Sequence, residues 1–230
     1  MQIKPILFNT EMVKAILQGR KTQTRRIVPT KYSNTHLEMF TNKYGTRLVE
    51  MQNEEEGVTI IHNPDGTTTH RLLAVIEKEP KYKPGDILWV RETWCNLPIS
   101  QGLQAIQRGT YYYKADNPNF EPVFYGKRPW CPSIHMPKEA ARIFLRVVNI
   151  RAEQLQRITK EDALAEGADE IESWGGRGDF IKLADYTISN YAKIWDKTVR
   201  KADLPRYGWA ANPWVWVIRF ERVEKPEEWV

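Results

Sequence analysis

Soft metal ligands are scarce in this chain. Its 230 residues include two cysteines, Cys95 and Cys131, and four histidines. Two cysteines cannot build the disulfide framework of a small secreted domain, and a disulfide between them is not expected. Cys95, Cys131 and His135 match no standard zinc spacing, so neither a metal nor another cofactor is expected. Long apolar runs are lacking as well. None approaches the roughly eighteen residues of a membrane span, and the opening stretch has no signal-peptide pattern. A cytoplasmic protein without a membrane partner is therefore expected. Internal repeats and low-complexity segments are absent, which excludes a solenoid.

Charge of one sign is not in large excess, since the formal net charge is +5. It is unevenly placed, however. Residues 1–31 hold seven Lys and Arg residues against Glu11 alone, or 7 − 1 = +6, so the remainder is close to neutral. A local patch of this kind points to an anionic ligand more specifically than a uniformly basic surface would. Aromatic residues make up 11% of the chain, with nine tryptophans, enough for a full core and for a surface on which a base can stack.

The basic patch peaks at Gly19-Arg20-Lys21-Thr22-Gln23-Thr24-Arg25-Arg26. A helix from Asn9 or Thr10 through Gln18 precedes it, with Met12, Val13, Ile16 and Leu17 on one face. Gly19 stands where a helix stops in the left-handed conformation. Lys21 can serve as a base beside the Thr24 hydroxyl, and Arg26 can hold an anion. In a flat strand, residues three apart face opposite ways. The pairing of Lys21 with Thr24 therefore requires a turn after Gly19.

The rest of the chain reads as strands separated by short helices. Ile3–Phe8, Arg25–Val28, Ile87–Trp94, Thr110–Lys114, Ala141–Val148 and Pro213–Phe220 have strand composition. A hairpin is expected from Val58–Ile61, between turn signals at 53–57 and 63–66, with Thr67–Leu73 as its partner strand. Thr159 caps a helix ending at Gly167, with Asp162 placed as in a capping box. Residues 173–179 read as flexible, and Leu183–Val199 as a second amphipathic helix. The expected fold class is α+β, a small β-barrel with flanking helices. One domain spans 1–223, with insertions at about 30–82 and 96–130 and a C-terminal tail at 224–230.

Glu166 falls in the last turn of its helix, near exposed carbonyls that disfavour a negative charge. That is the setting of a general acid. Glu92, between Arg91 and Trp94, competes for the same role, with a buried pair to Arg91 as the plainer account of it. Trp94, Trp130 and Tyr111 to Tyr113 can stack a base or pack the core.

The pattern Gly-x-Lys-x-x-Thr-x-Arg, filled by Gly19, Lys21, Thr24 and Arg26, resembles the signature of the ASCH domain family. Lys83-Pro84-Gly85-Asp86, Ile158-Thr159-Lys160-Glu161 and the last aromatic strand fit in the same order. With Trp89–Trp94 and Pro132–Pro137, the chain looks like the larger ASCH proteins of bacteriophages and prophages. The resemblance implies a PUA-like β-barrel and a nucleoside or RNA ligand. One branch of the family removes the acetyl group of 4-acetylcytidine. Its catalytic lysine and threonine fall on Lys21 and Thr24, and alignment of the Thr159 helix places its glutamate on Glu166. Substrate contacts are expected from Gly19, Arg26, Arg91, Glu92 and Trp94. Two other activities suit the same residues: a non-catalytic reader of RNA or a modified base, and a metal-independent ribonuclease with Lys21 as base.

Overall fold

The computed structural model describes residues 1–33, 35–52, 58–62, 64–66, 68–72, 76–96, 111–116, 119, 130–168, 183–227 and 229. In chain order the elements are β1 (Ile3–Leu7), α1 (Thr10–Leu17), β2 (Gln23–Ile27), β3 (Thr35–Asn42), β4 (Gly45–Gln52), β5 (Val58–His62), β6 (Thr68–Leu72), β7 (Ile76–Glu77), β8 (Ile87–Arg91), β9 (Trp94–Asn96), β10 (Tyr111–Tyr113), β11 (Phe144–Gln154), α2 (Lys160–Ala165), α3 (Leu183–Thr198), α4 (Leu204–Tyr207) and β12 (Trp214–Val223). The protein is α+β.

Five strands form the main sheet, in the order β1-β8-β11-β12-β2. β1 and β8 run parallel and the other pairs antiparallel. Among the described residues the sheet is open, with β1 and β2 as its edges. Period-two alternation sets its two faces. Leu88, Val90, Leu145, Val147, Ile218 and Phe220 point to one side, where Val13 and Ile16 of α1 cover them. Val215 and Val217 point to the other side and meet Ile158, Ala163, Tyr191 and Trp195. Ile87, Trp89 and Phe144 form a third cluster.

Three sequence expectations need correction. The strand expected to end at Val148 runs on to Gln154. The register with β12 shifts between Val147 and Asn149, which leaves Val148 as the extra residue of a bulge. A bulge inverts the inward–outward parity, so the apolar alternation breaks there although the strand continues. The run Ile87–Trp94 divides into β8 and β9, because the ladder stops at Glu92 and Thr93. The segment after Val223, read as a tail, brings Trp229 back edge-on against Trp89 and Phe144, at centroid distances of 5.5 and 5.0 Å.

The expected hairpin is present as antiparallel β5 and β6. A further sheet, β3-β4-β7, had no clear apolar signature in the sequence. Buried Glu50 anchors that sheet. Its carboxylate accepts from the Lys31 and Tyr32 backbone N–H groups and pairs with Lys78 at 2.5 Å. The expectation for 173–179 lies outside the described residues, as do most of 96–130. Among the described residues no helix is long and apolar enough to cross a membrane.

Candidate functional site

Two helix ends build the site. α1 stops at Gly19, whose φ is +74°. The Gly19 N–H donates to Ile16 O at 3.0 Å and the Arg20 N–H to Ala15 O at 2.9 Å. This is the paired closure of a left-handed glycine cap. α2 repeats it at Gly167, with φ +89°, Gly167 N–H to Leu164 O at 2.8 Å and Ala168 N–H to Ala163 O at 3.1 Å. The two caps touch. A Cβ on Gly167 would lie 3.0 Å from Ala15 Cβ, and Thr22 N–H donates to Ala165 O at 2.9 Å. Glycine is required at 167 by conformation and by this close approach.

The expected turn after Gly19 is therefore present, and it sends Lys21 into the junction. The Lys21 side chain is fully buried. Its Nζ donates to Gln23 O, Glu166 O and Glu166 Oε2, each at 2.8 Å. Those are as many acceptors as an ammonium has protons. The C-terminus of α2 faces this charge through the Glu166 carbonyl and favours it. Burial lowers the Lys21 pKa below the ordinary lysine value, opposed by Glu166, with Arg26 and Arg25 adding to the fall.

The register of β2 on β12 sorts the rest of the stretch. Thr24 lies opposite Ile218 and Arg26 opposite Trp216, on the face that α1 covers. Gln23 and Arg25 face the other way, toward α2. Arg25 was not expected to belong to the site, yet it holds it together. Its guanidinium bonds Glu153 at 2.5 Å, Asp162 at 2.8 Å and Glu166 at 3.1 Å. Burial opposes its charge, but Glu166 and Glu153 outweigh burial and raise its pKa. Asp162 completes only half of the expected capping box. Thr159 Oγ1 accepts its N–H at 3.2 Å, while its carboxylate turns to Gln23, Arg25 and Arg151. Arg25 stood in the motif from the start. Its carboxylate partners, on β11 and α2, carried no sequence signal linking them to it.

A cavity of about 400 Å³ opens beside this knot. Thr24, Arg25, Arg26, Glu166, Tyr191 and Trp195 are among its walls. Lys21 lies behind Glu166, outside the lining. Tyr191 of α3 contributes to the wall, and burial, then Glu166, raises its pKa well above the usual phenol value. Four basic side chains line the cavity (Arg20, Arg25, Arg26, Lys197) against two carboxylates (Glu11, Glu166), so 4 − 2 = +2. Its volume falls in the range of small-ligand sites. Arg26 is half-buried, stacks over Phe8 at 5.3 Å and donates to Leu7 O at 2.8 Å.

Arg91, Glu92 and Trp94 do not join this cavity. Glu92 is buried and bonds Arg142, not Arg91, through Nε at 2.8 Å and Nη2 at 3.0 Å. Burial raises its pKa against the pull of Arg142. Trp94 stacks edge-on with Tyr111 at 5.6 Å and pairs across a β-bridge with Cys131. Arg91 stacks over Trp89 and donates to Ile134 O. Among the described residues no cluster of His, Cys, Asp and Glu side chains is placed to hold a metal ion.

No protein-family model matches the chain, and neither a curated protein nor a solved structure is significantly similar to it.

Proposed function

We propose that the protein is a nucleoside- or RNA-directed amidohydrolase of the 4-acetylcytidine deacetylating type. The observation that carries this reading is the buried 2.8 Å contact of Lys21 Nζ with Glu166 Oε2, made by residues 145 positions apart, behind a cavity that Thr24 and Glu166 both line. A PUA-like barrel belongs to the same reading; the Arg26 bond to the Leu7 carbonyl links the two edge strands, β2 and β1, that such a barrel would bring together.

The resting ammonium has no lone pair, so catalysis starts with proton transfer from Lys21 to Glu166 along their hydrogen bond. Burial favours that step, since it replaces two buried charges by two neutral groups. Lys21 Nζ bonds Gln23 O and Glu166 but not Thr24 in the resting site, so neutral Lys21 must turn toward Oγ1 to take the Thr24 hydroxyl proton as Oγ1 attacks the acyl carbonyl. Arg26 offsets the charge on the tetrahedral oxygen. Protonated Glu166 gives its proton to the departing exocyclic amine, which leaves the acyl group on Thr24 and restores the ion pair. Water releases the acyl group by the same exchange. Tyr191 and Trp195 supply aromatic wall for the base.

One observation favours a second reading, a non-catalytic reader. Every Lys21 proton already has an acceptor, and both Glu166 oxygens accept from cations. Incubation with 4-acetylcytidine, with products resolved by chromatography, separates the two. The hydrolase yields cytidine, and Thr24→Ala lowers turnover by more than about a hundredfold while ligand affinity persists. Absence of cytidine at high enzyme concentration sinks the hydrolase reading for that substrate.

A further inference from the structure

A second cavity, of about 660 Å³, lies between the edge strands β1 and β2. It shares one residue with the first cavity, Arg26. An edge strand ordinarily invites another strand to pair, but this one cannot accept a peptide. Pro5 has no N–H, Tyr82 donates its hydroxyl to Pro5 O at 2.9 Å, and Arg26 donates to Leu7 O at 2.8 Å. Recognition in the seam must therefore use side chains. Ile6, Ile27 and Ile218 give it an apolar floor, and Trp216, half-buried, gives it an aromatic wall. Its rim carries Arg26, Lys81 and Arg91 against Glu79 alone, so 3 − 1 = +2. Glu79 is already paired with Lys83 at 3.7 Å.

Two of these cations have spare donors. Arg91 Nε is buried without a hydrogen-bond partner among the described residues. Arg26 makes one described hydrogen bond, from Nη2, out of the five N–H groups of a guanidinium. An aromatic wall, an apolar floor and unspent guanidinium donors together fit a base with a phosphate attached. Because Arg26 stands in both walls, a phosphate held there would join a nucleoside in the first cavity to a base in the second.

We infer that the second cavity is a subsite for the neighbouring nucleotide, so that the protein takes its target nucleoside within an oligonucleotide. Arg26 holds the linking phosphate, Arg91 and Lys81 add positive charge, and the adjoining base lies against Trp216. This inference rests on the first cavity holding a nucleoside, as proposed above.

Calorimetric titration of the intact protein tests it, comparing cytidine with dinucleotides that extend cytidine at its 5′ or its 3′ side. One of the two dinucleotides is expected to bind at least about ten-fold tighter than cytidine, since it adds a charge-assisted contact and a stacked base. Raising the salt concentration narrows that gap. Arg91→Ala and, separately, the exposed Lys81→Glu each narrow it as well, and the second variant leaves the buried contacts of the fold in place. Equal affinity for cytidine and both dinucleotides overturns the inference, as does a gap that survives both substitutions. Hydrolysis of 4-acetylcytidine, followed in parallel, keeps the two readings apart. Turnover without a dinucleotide preference sinks the subsite alone, whereas a dinucleotide preference without turnover sinks the hydrolase alone.

Discussion

Glu166 and Glu92 are both buried, and each is bonded to an arginine, yet their surroundings differ in kind. Arg142 grips Glu92 by two nitrogens, stacks over Tyr113 at 3.8 Å and extends to Asp116. Its side chain is 26% exposed, so water shares the charge. Glu166 instead sits between Arg25 and a lysine with no exposure at all, at the meeting of two helix ends, and it borders a cavity. The first arrangement clamps a loop. The second stores two buried charges that a single proton transfer can cancel, behind a cavity that Thr24 also lines. A buried carboxylate becomes a candidate for catalysis through what can exchange protons with it and what space it faces. Burial alone does not distinguish the two.

Removing each carboxylate tests that contrast most strongly. Glu166→Gln strands the Lys21 ammonium without its carboxylate, and about 3–5 kcal/mol of stability should be lost in denaturant unfolding. Glu92→Gln leaves Arg142 its Asp116 partner and access to water, so a loss of about 1–2 kcal/mol is expected. Equal losses would erase the distinction. The same pair of variants decides which glutamate is the acid. Turnover of 4-acetylcytidine should vanish in Glu166→Gln and persist in Glu92→Gln.

The two glycine caps sharpen it next. A Cβ at Gly19 meets nothing within 4 Å, whereas one at Gly167 meets Ala15. Gly19→Ala should cost about 1 kcal/mol, from backbone conformation alone. Gly167→Ala should cost about 2–3 kcal/mol, because it also pushes the two helix ends apart. The second substitution displaces Lys21 from Glu166 and should lower turnover further than the first.

The smallest effects concern pH, where Glu50 and Glu92 act with opposite sign. Burial works against the Glu50 charge, but Lys78, Thr35 and the Lys31 and Tyr32 N–H groups prevail and bring its pKa down to about 2. Its folded value lies below its unfolded one. Its stabilisation is therefore complete above about pH 4.5 and is lost as pH falls toward 2. The Glu92 value is raised by burial, so its contribution is present at low pH and is lost as pH rises through the raised value. Thermal unfolding across pH should show Glu50→Gln losing its deficit on acidification. The wild-type advantage over Glu92→Gln should shrink as pH rises.

The sequence by itself determined what depends on near neighbours in the chain. The Thr159 cap, a helix start at Asn9 or Thr10, the left-handed stops at Gly19 and Gly167, the turn that frees Lys21 from strand geometry and the strands of apolar alternation were all legible. Each follows from backbone sterics or from hydrogen bonds spanning a few residues. The α+β class was legible for the same reason. Tertiary structure alone decided the extension of β11 past its bulge, the docking of Trp229 and the three-stranded sheet around Glu50. It also decided that Glu92 bonds Arg142, that Arg25 ties Glu153, Asp162 and Glu166 together, and that Arg26 stands between two cavities. These depend on contacts between residues far apart in the chain. There a charge finds its partner by burial and packing geometry, which no local pattern encodes.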